Sequence, residues 1–375
     1  MSDGLLTLQG INKIYNETSR HPVQAVSDLN LNVAAGEIVA LLGSSGCGKT
    51  STLRMIAGFE AVTSGEVLIK GRPVHGLHPA KRNVAMAFEG YSLYPPLSVA
   101  ENIAFALKSE RLDKTEIKAK VAEIAHLLEI SDILERSPGS ISGGQQQRVS
   151  LARALIRKAD LHLLDEPMGQ LEPQLRALLR GRIKHFIKQR GLTAILVTHD
   201  QTEANALADR IAVMEGGFLQ QYDTPEHLKD RPANLFTGTF IGEPPMNVFP
   251  AQAEVADDLV KLHLEEGVSL SFPAGAFSPP LKDRLLLEKQ FMMGVRPHAV
   301  KISETGQPAE VFANQWLGDQ THIAARFAGK TIVSVRHDRA HHAPGENIGI
   351  ELDASDLHLF HSDTGAAFSH GGGVE

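Results

Sequence analysis

Cysteine is nearly absent: Cys47 is the only one in 375 residues. No disulfide can form within the chain, and a reducing, cytoplasmic compartment fits. Long apolar runs are missing too. None approaches the ~18 residues that would suggest a membrane span, so membrane contact is expected only through a partner. The start MSDGLLTLQG has neither a basic stretch nor a long apolar one, and no secretory signal is expected there. Excess positive charge is absent as well, with 37 Lys and Arg against 44 Asp and Glu. That argues against nucleic acid as a partner. No internal repeat is visible. What is present is an ordinary globular composition, 42% hydrophobic and 22% charged, in a chain long enough for two or more domains.

Residues 1–240 alternate short apolar runs with amphipathic stretches. Ile38–Leu42 reads as a buried strand, followed by a Gly-rich loop and a helix over Thr50–Ala57. Asp113 with Glu116 reads as a helix N-cap and its partner, opening a helix with Ile117, Val121, Ile124 and Leu128 on one face. Leu161–Leu164 and Ala194–Val197 are two more buried strands. Strands alternating with helices predict a parallel sheet with helices on both faces, and ligands bind beyond the carboxyl ends of such strands. The character changes near Glu243-Pro244-Pro245. Short alternating segments follow (Ala253–Val255, Leu259–Leu264, Thr331–Val335, Ile348–Leu352), separated by Gly and Pro. They predict a small all-β domain over 241–368, with a flexible tail at 369–375.

Three motifs carry chemistry. Gly43-Ser44-Ser45-Gly46-Cys47-Gly48-Lys49-Thr50 fits G-x-x-x-x-G-K-[ST] and sits between a strand and a helix. Its glycines let backbone N–H groups turn toward phosphates at the positive end of the helix. Lys49 would neutralise the β- and γ-phosphates, the Thr50 hydroxyl would hold Mg²⁺, and Ser51 continues the site into the helix. Leu161-His162-Leu163-Leu164-Asp165-Glu166 is an apolar strand ending in two carboxylates. Asp165 would hold Mg²⁺, and Glu166 is placed to polarise an attacking water. Ser142-Gly143-Gly144-Gln145 opens a helix and offers N–H groups, a hydroxyl and the helix dipole to an anion.

These motifs, with His199 in Val197-Thr198-His199-Asp200, follow the order and spacing of ABC ATPases, which the chain resembles over residues 1–240. The resemblance implies a P-loop α/β domain with a RecA-like core and a helical subdomain at about 97–157. It makes ATP and Mg²⁺ the cofactors. It casts Ser142, Gly143, Gly144 and Gln145 as the signature that meets the γ-phosphate of ATP held by a second ATPase subunit, in a head-to-tail dimer. It casts His199 as the switch histidine and Tyr15 as the aromatic that stacks on adenine. Two positions depart from the family pattern. Glu89 replaces the Gln that binds Mg²⁺, in a loop whose Glu89–Pro96 region would face the transmembrane permease. Gly169-Gln170-Leu171-Glu172 replaces Ser-Asn-Leu-Asp in the loop that couples the two ATP sites. Altered coupling loops beside an intact phosphate loop motivate pairing with a different ATPase subunit; a homodimer is the alternative.

Beyond 240, Pro245-Met246-Asn247-Val248-Phe249, Gly294-Val295-Arg296-Pro297 and Leu317-Gly318-Asp319-Gln320-Thr321 resemble blocks of carbohydrate-importer ATPases of the maltose and glycerol-phosphate type, which carry an OB-like regulatory domain. The expected function is ATP hydrolysis driving import of a carbohydrate or polyol. The chain would work peripherally on the cytoplasmic face of the membrane and indirectly with a solute-binding protein. The alternative is a non-transport ABC ATPase. Cys47 is read as a small loop residue without a catalytic task, and His341-His342 as a solvated loop.

Overall fold

The computed structural model describes residues 4–18, 21–371 and 373–374, which form two compact units divided between Pro225 and Glu226. The first unit runs β1 (Leu6–Tyr15), β2 (Val23–Val33), β3 (Ile38–Gly43), α1 (Lys49–Ala57), β4 (Ser64–Ile69), β5 (Arg72–Pro73), β6 (Val84–Ala87), α2 (Val99–Phe105), α3 (Lys114–Leu127), α4 (Gly143–Leu155), β7 (Leu161–Asp165), α5 (Pro173–Gln189), β8 (Ala194–Thr198), α6 (Gln201–Leu207), β9 (Arg210–Glu215) and β10 (Phe218–Asp223). Its centre is a six-stranded sheet, β10-β9-β3-β8-β7-β6, parallel except for the β9–β10 hairpin.

Alternate residues of the buried strands face opposite ways. Val39, Leu41, Leu161, Leu163, Ile195 and Val197 share a core with Leu53 and Ile56 of α1 and with Leu8, Leu31 and Val67. Ile38, Leu164 and Leu196 meet Leu151 of α4, Ile183 and Ile187 of α5, and Leu207 of α6. Helices therefore cover only one face completely. The other is closed by α1 together with a four-stranded antiparallel sheet, β2-β1-β4-β5, so helices do lie on both sides, with a second sheet that the expectation did not include. The predicted cap is present: Asp113 Oδ1 accepts from the Glu116 N–H at 2.8 Å, and Glu116 Oε2 accepts from the Asp113 N–H at 3.1 Å. α2, α3 and α4 fill the stretch between β6 and β7.

The second unit begins with α7 (Pro225–Asp230) and α8 (Leu235–Phe240). Thirteen further elements follow: β11 (Asn247–Val255), β12 (Leu259–His263), β13 (Ser269–Pro273), α9 (Pro279–Leu287), β14 (Phe291–Val295), β15 (Lys301–Ser303), β16 (Gln307–Trp316), β17 (Thr321–Phe327), β18 (Lys330–Arg336), β19 (Asn347–Glu351), β20 (Leu357–His361), β21 (Ala367–His370) and β22 (Gly373–Val374). The strands form two sheets, β13-β12-β11-β14-β20-β21-β22 and β15-β19-β16-β17-β18, around one apolar core. Asn247 bonds the two sheets as a peptide would. Its Nδ2 donates to the Val333 carbonyl at 2.9 Å, and its Oδ1 accepts the Val333 N–H at 2.8 Å.

Two expectations need correction here. The division falls before 226, not after 240, because α7 and α8 are held by the β domain. The buried Arg296 guanidinium donates to the carbonyls of Lys229 (2.7 Å), Gly238 (2.8 Å) and Ile241. Burial lowers its pKa to about 10. The tail expected at 369–375 is in part a strand: β21 pairs antiparallel with β20, β22 pairs with β21, and Ser369 is buried. Residues 372 and 375 of that tail lie outside the described residues. His341 is exposed in a loop, while His342 Nδ1 lies 2.7 Å from Glu346 Oε1. Among the described residues no helix is long and apolar enough to cross a membrane.

Candidate nucleotide site

The carboxyl ends of β3, β7, β8 and β9 deliver the site residues, where a parallel sheet leaves its crevice. After β3 the chain must turn tightly against its neighbours. A Cβ on Gly43 would lie 2.1 Å from the Met214 carbonyl oxygen. One on Gly48, whose φ is 100°, would lie 2.3 Å from the Ala25 carbonyl oxygen. Only glycine fits either place. The loop then opens α1, so its N–H groups and the helix dipole converge on one spot. Gly46 has a φ of 79° with open space around its Cα. Lys49 is buried and its ammonium folds back over the loop, donating to the Gly43 and Ser44 carbonyls at 2.8 Å each, with Cys47 Sγ at 3.6 Å. Burial raises the Cys47 thiol pKa, which keeps it protonated and unreactive.

Asp165, at the end of β7, lies with Oδ1 3.5 Å from Thr50 Oγ1. Burial pushes its pKa up to about 6, and the charges of Glu89 and Glu166 push the same way. Such a carboxylate is short of positive charge. Among the described residues no three His, Cys, Asp or Glu converge into an all-protein metal cage. One carboxylate and one hydroxyl beside a phosphate cradle nevertheless suit Mg²⁺, which takes few protein ligands and fills the rest with water and phosphate. Glu89 is exposed on the loop after β6 and reaches Asp165 through its charge.

Glu166 follows in a left-handed conformation, φ 48°. Its N–H donates to the Val197 carbonyl at 2.9 Å, and its Oε1 lies 2.9 Å from His199 Nδ1. Sequence reading placed these two residues in one site, and the structure brings them together. Tyr15 donates its hydroxyl to Ser51 Oγ at 3.1 Å, so its ring stands beside the start of α1; the Lys13 ammonium lies 4.6 Å from the ring centroid. Ser142 and Gln145 form a reciprocal capping box at the head of α4. Among the described residues no hydrogen bond joins them to the phosphate loop of their own chain.

Two contacts were not anticipated. Glu215, at the end of β9, accepts a hydrogen bond from the Ser44 hydroxyl of the phosphate loop. The signal was available: Ile211–Met214 is an apolar strand ending in a carboxylate, as at Asp165. Gln147, on the buried face of α4, donates its Nε2–H to the Glu166 carbonyl at 2.6 Å and accepts the Gln170 N–H at 2.9 Å. A polar residue in register with the buried Ser150, Leu151 and Ala154 was its only mark in the sequence.

Behind His199, Glu203 is 1% exposed and accepts from the Thr198 hydroxyl at 2.7 Å. Its pKa rises to about 7, through burial first and then the Asp200 and Glu166 carboxylates, against the Thr198 hydrogen bond. The ordinary value is 4.5, so the folded chain holds this proton more tightly than the unfolded one. The contribution to stability is greatest below pH 4.5 and is lost as pH rises to 7, by about 3 kcal/mol in full. Glu203→Gln keeps the acceptor without the charge. Its unfolding free energy should exceed the parent's at pH 8 by up to that amount and converge with it at pH 4. Parallel denaturant curves at both pH values would refute this.

Comparison with known proteins fits this geometry. The ABC transporter family model matches residues 26–169, and the TOBE domain model matches 293–360. The chain is 40% identical over 350 residues to the sn-glycerol-3-phosphate import ATP-binding protein UgpC 3 of Rhizobium johnstonii, covering 92% of this chain and 94% of that one. It is 40% identical over 356 residues to the sn-glycerol-3-phosphate import ATP-binding protein UgpC of Cereibacter sphaeroides, covering 92% and 95%. The solved dimer of the ATP-binding cassette MJ0796 with ADP and Pi superposes with a TM-score of 0.55 at 27% identity, over 58% of this chain and 98% of that one. Nothing among these relatives supports a non-transport role. The chain thus belongs to the ATP-binding proteins of ABC transporters and is an ATPase of that family, an ATP-binding cassette followed by a TOBE domain.

Proposed function

We propose that the chain is the ATP-hydrolysing subunit that energises import of glycerol 3-phosphate or a related carbohydrate or polyol. The observation that carries this reading is the 40% identity, across 92% of the chain, to a protein named for sn-glycerol-3-phosphate import. In this reading Lys49 and the N–H groups of Gly43–Thr50 and Ser51 hold the phosphates, and Tyr15 lies against adenine. Thr50 and Asp165, with Glu89 beside them, hold Mg²⁺, which when bound neutralises developing phosphate charge. Glu166 takes the proton of the attacking water, and His199 keeps the Glu166 carboxylate in place. Ser142–Gln145 complete the site of a second ATPase subunit, either a copy of this chain or a related one. Their position at an exposed helix N-terminus, unattached to their own phosphate loop, supports that role.

A groove of about 280 Å³ runs beside the Glu89–Pro96 loop, lined in part by Phe88, Tyr91, Tyr94, Phe105 and Arg153. We assign it to a helix of the permease, which would hold the chain at the cytoplasmic face of the membrane. The test is reconstitution with the neighbouring permease and solute-binding protein in vesicles. ATPase activity should rise when glycerol 3-phosphate is presented outside, and the chain should co-purify with the permease. Co-purification with ribosomes or DNA, and no response to any polyol or sugar, would overturn the reading.

A further inference from the structure

Three anchors converge on Glu166. A non-glycine residue in the left-handed region is held against a local preference of about 1–2 kcal/mol, so its surroundings must fix it. β8 holds its N–H through the Val197 carbonyl, and His199 meets its carboxylate. The third anchor is Gln147, 4% exposed, whose amide spans the turn that Glu166 begins. Nε2 donates to the Glu166 carbonyl at 2.6 Å, and Oε1 accepts from the Gln170 N–H at 2.9 Å. Both ends of one buried amide are engaged with one five-residue turn. The turn is also packed onto the head of α4: a Cβ on Gly143 would lie 2.6 Å from Gln170 Oε1, and one on Gly144 would lie 3.0 Å from the Gln170 carbonyl oxygen. The helix that presents Ser142–Gln145 at one end thus grips the Glu166 turn two residues further on.

We propose that Gln147 is a positioning residue for ATP hydrolysis: its amide fixes Glu166 in place and ties that residue to the helix serving the second subunit's nucleotide. This rests on the reading of Glu166 as the base in a two-subunit ATPase. Without the amide, the Glu166 carbonyl keeps only the longer bond from the Gly169 N–H at 3.3 Å, the turn relaxes, and the carboxylate drifts from the water it must deprotonate. Nucleotide binding, which Gln147 does not touch, is unaffected. Gln170, one methylene longer than the Asn of the family pattern, adds a side-chain contact to the same joint.

The experiment compares steady-state ATPase of the full-length chain with Gln147→Leu and Gln147→Glu, using Glu166→Gln as the reference. Gln147→Leu should lower kcat about 10- to 30-fold with KM for ATP within about twofold, because orientation rather than binding is lost. Gln147→Glu supplies the diagnostic. As a carboxylate it accepts from Gln170 but cannot donate to the Glu166 carbonyl; once protonated it does both. Burial raises a carboxyl's pKa, so the rate of this variant should recover on lowering the pH from 8 to 6 relative to the parent's own profile. A merely structural role would give no such rescue. If Gln147→Leu does not fold, the Gln147→Glu pH profile decides alone. Parental kcat in Gln147→Leu, or a pH-independent deficit in Gln147→Glu, would overturn the proposal while Glu166→Gln remains inactive. Turnover by Glu166→Gln would instead overturn the reading of the base.

Discussion

Glu166→Gln is expected to bind ATP as tightly as the parent chain and to hydrolyse it about a thousandfold more slowly. The amide has the shape of the carboxylate and still meets His199 Nδ1, so the left-handed turn and its anchors persist. What it lacks is a basic oxygen to take the proton of water. Removing the Glu166 charge also relieves Asp165, whose pKa that charge helps to raise, so Mg²⁺ binding should not suffer. The expected product is a dimer that closes on ATP and stays closed. Single-turnover hydrolysis with labelled ATP measures the first effect, and light scattering with and without Mg-ATP measures the second. Turnover within tenfold of the parent would remove Glu166 from its assigned task.

Lys49→Ala should fail at the earlier step. The Lys49 ammonium is the positive side chain bonded to the phosphate loop, and the carboxylate of Glu215 lies on Ser44 of the same loop. Removing the ammonium takes a positive charge from the loop and leaves the Glu215 carboxylate on Ser44. Losing charge-assisted hydrogen bonds to two phosphates predicts at least about a hundredfold weaker ATP binding. AMP, which lacks the β- and γ-phosphates, should be affected little. Titration with fluorescent nucleotides tests both statements. An equal loss for ATP and AMP would mean that Lys49 acts only by shaping the loop.

The parts of the site most readable in sequence are those whose chemistry fixes residue type and spacing along the chain. The Gly43–Thr50 loop, Asp165-Glu166 and Ser142–Gln145 are of that kind, each a few contiguous residues at a strand end or helix start. Glu215 and Ser44 meet only because β9 lies beside β3, and that adjacency is a property of the sheet. Gln147 meets Glu166 for a similar reason, through packing of α4 against β7. The antiparallel sheet of the first unit was hidden for another reason. The β1–β2 ladder shifts register between Leu8 and Ile11, again before Lys13 and again before Ile14, which breaks the simple alternation of apolar residues. The β domain showed itself through its short alternating runs. Its leading edge did not, because the character of the sequence changes only near Glu243-Pro244-Pro245, while Arg296, far along the chain, is what binds α8 to the domain.

The left-handed backbone at Glu166 sets folding against chemistry at a single position. Glycine would sit there more comfortably than any residue with a Cβ, and would leave the carbonyl free to meet Gln147 as before. A population screened for heat resistance alone would therefore be drawn toward discarding the carboxylate we propose as the base. Any stabilised version of this cassette has to be chosen under a demand for turnover, or it will drift toward a durable shell that grips fuel and never burns it.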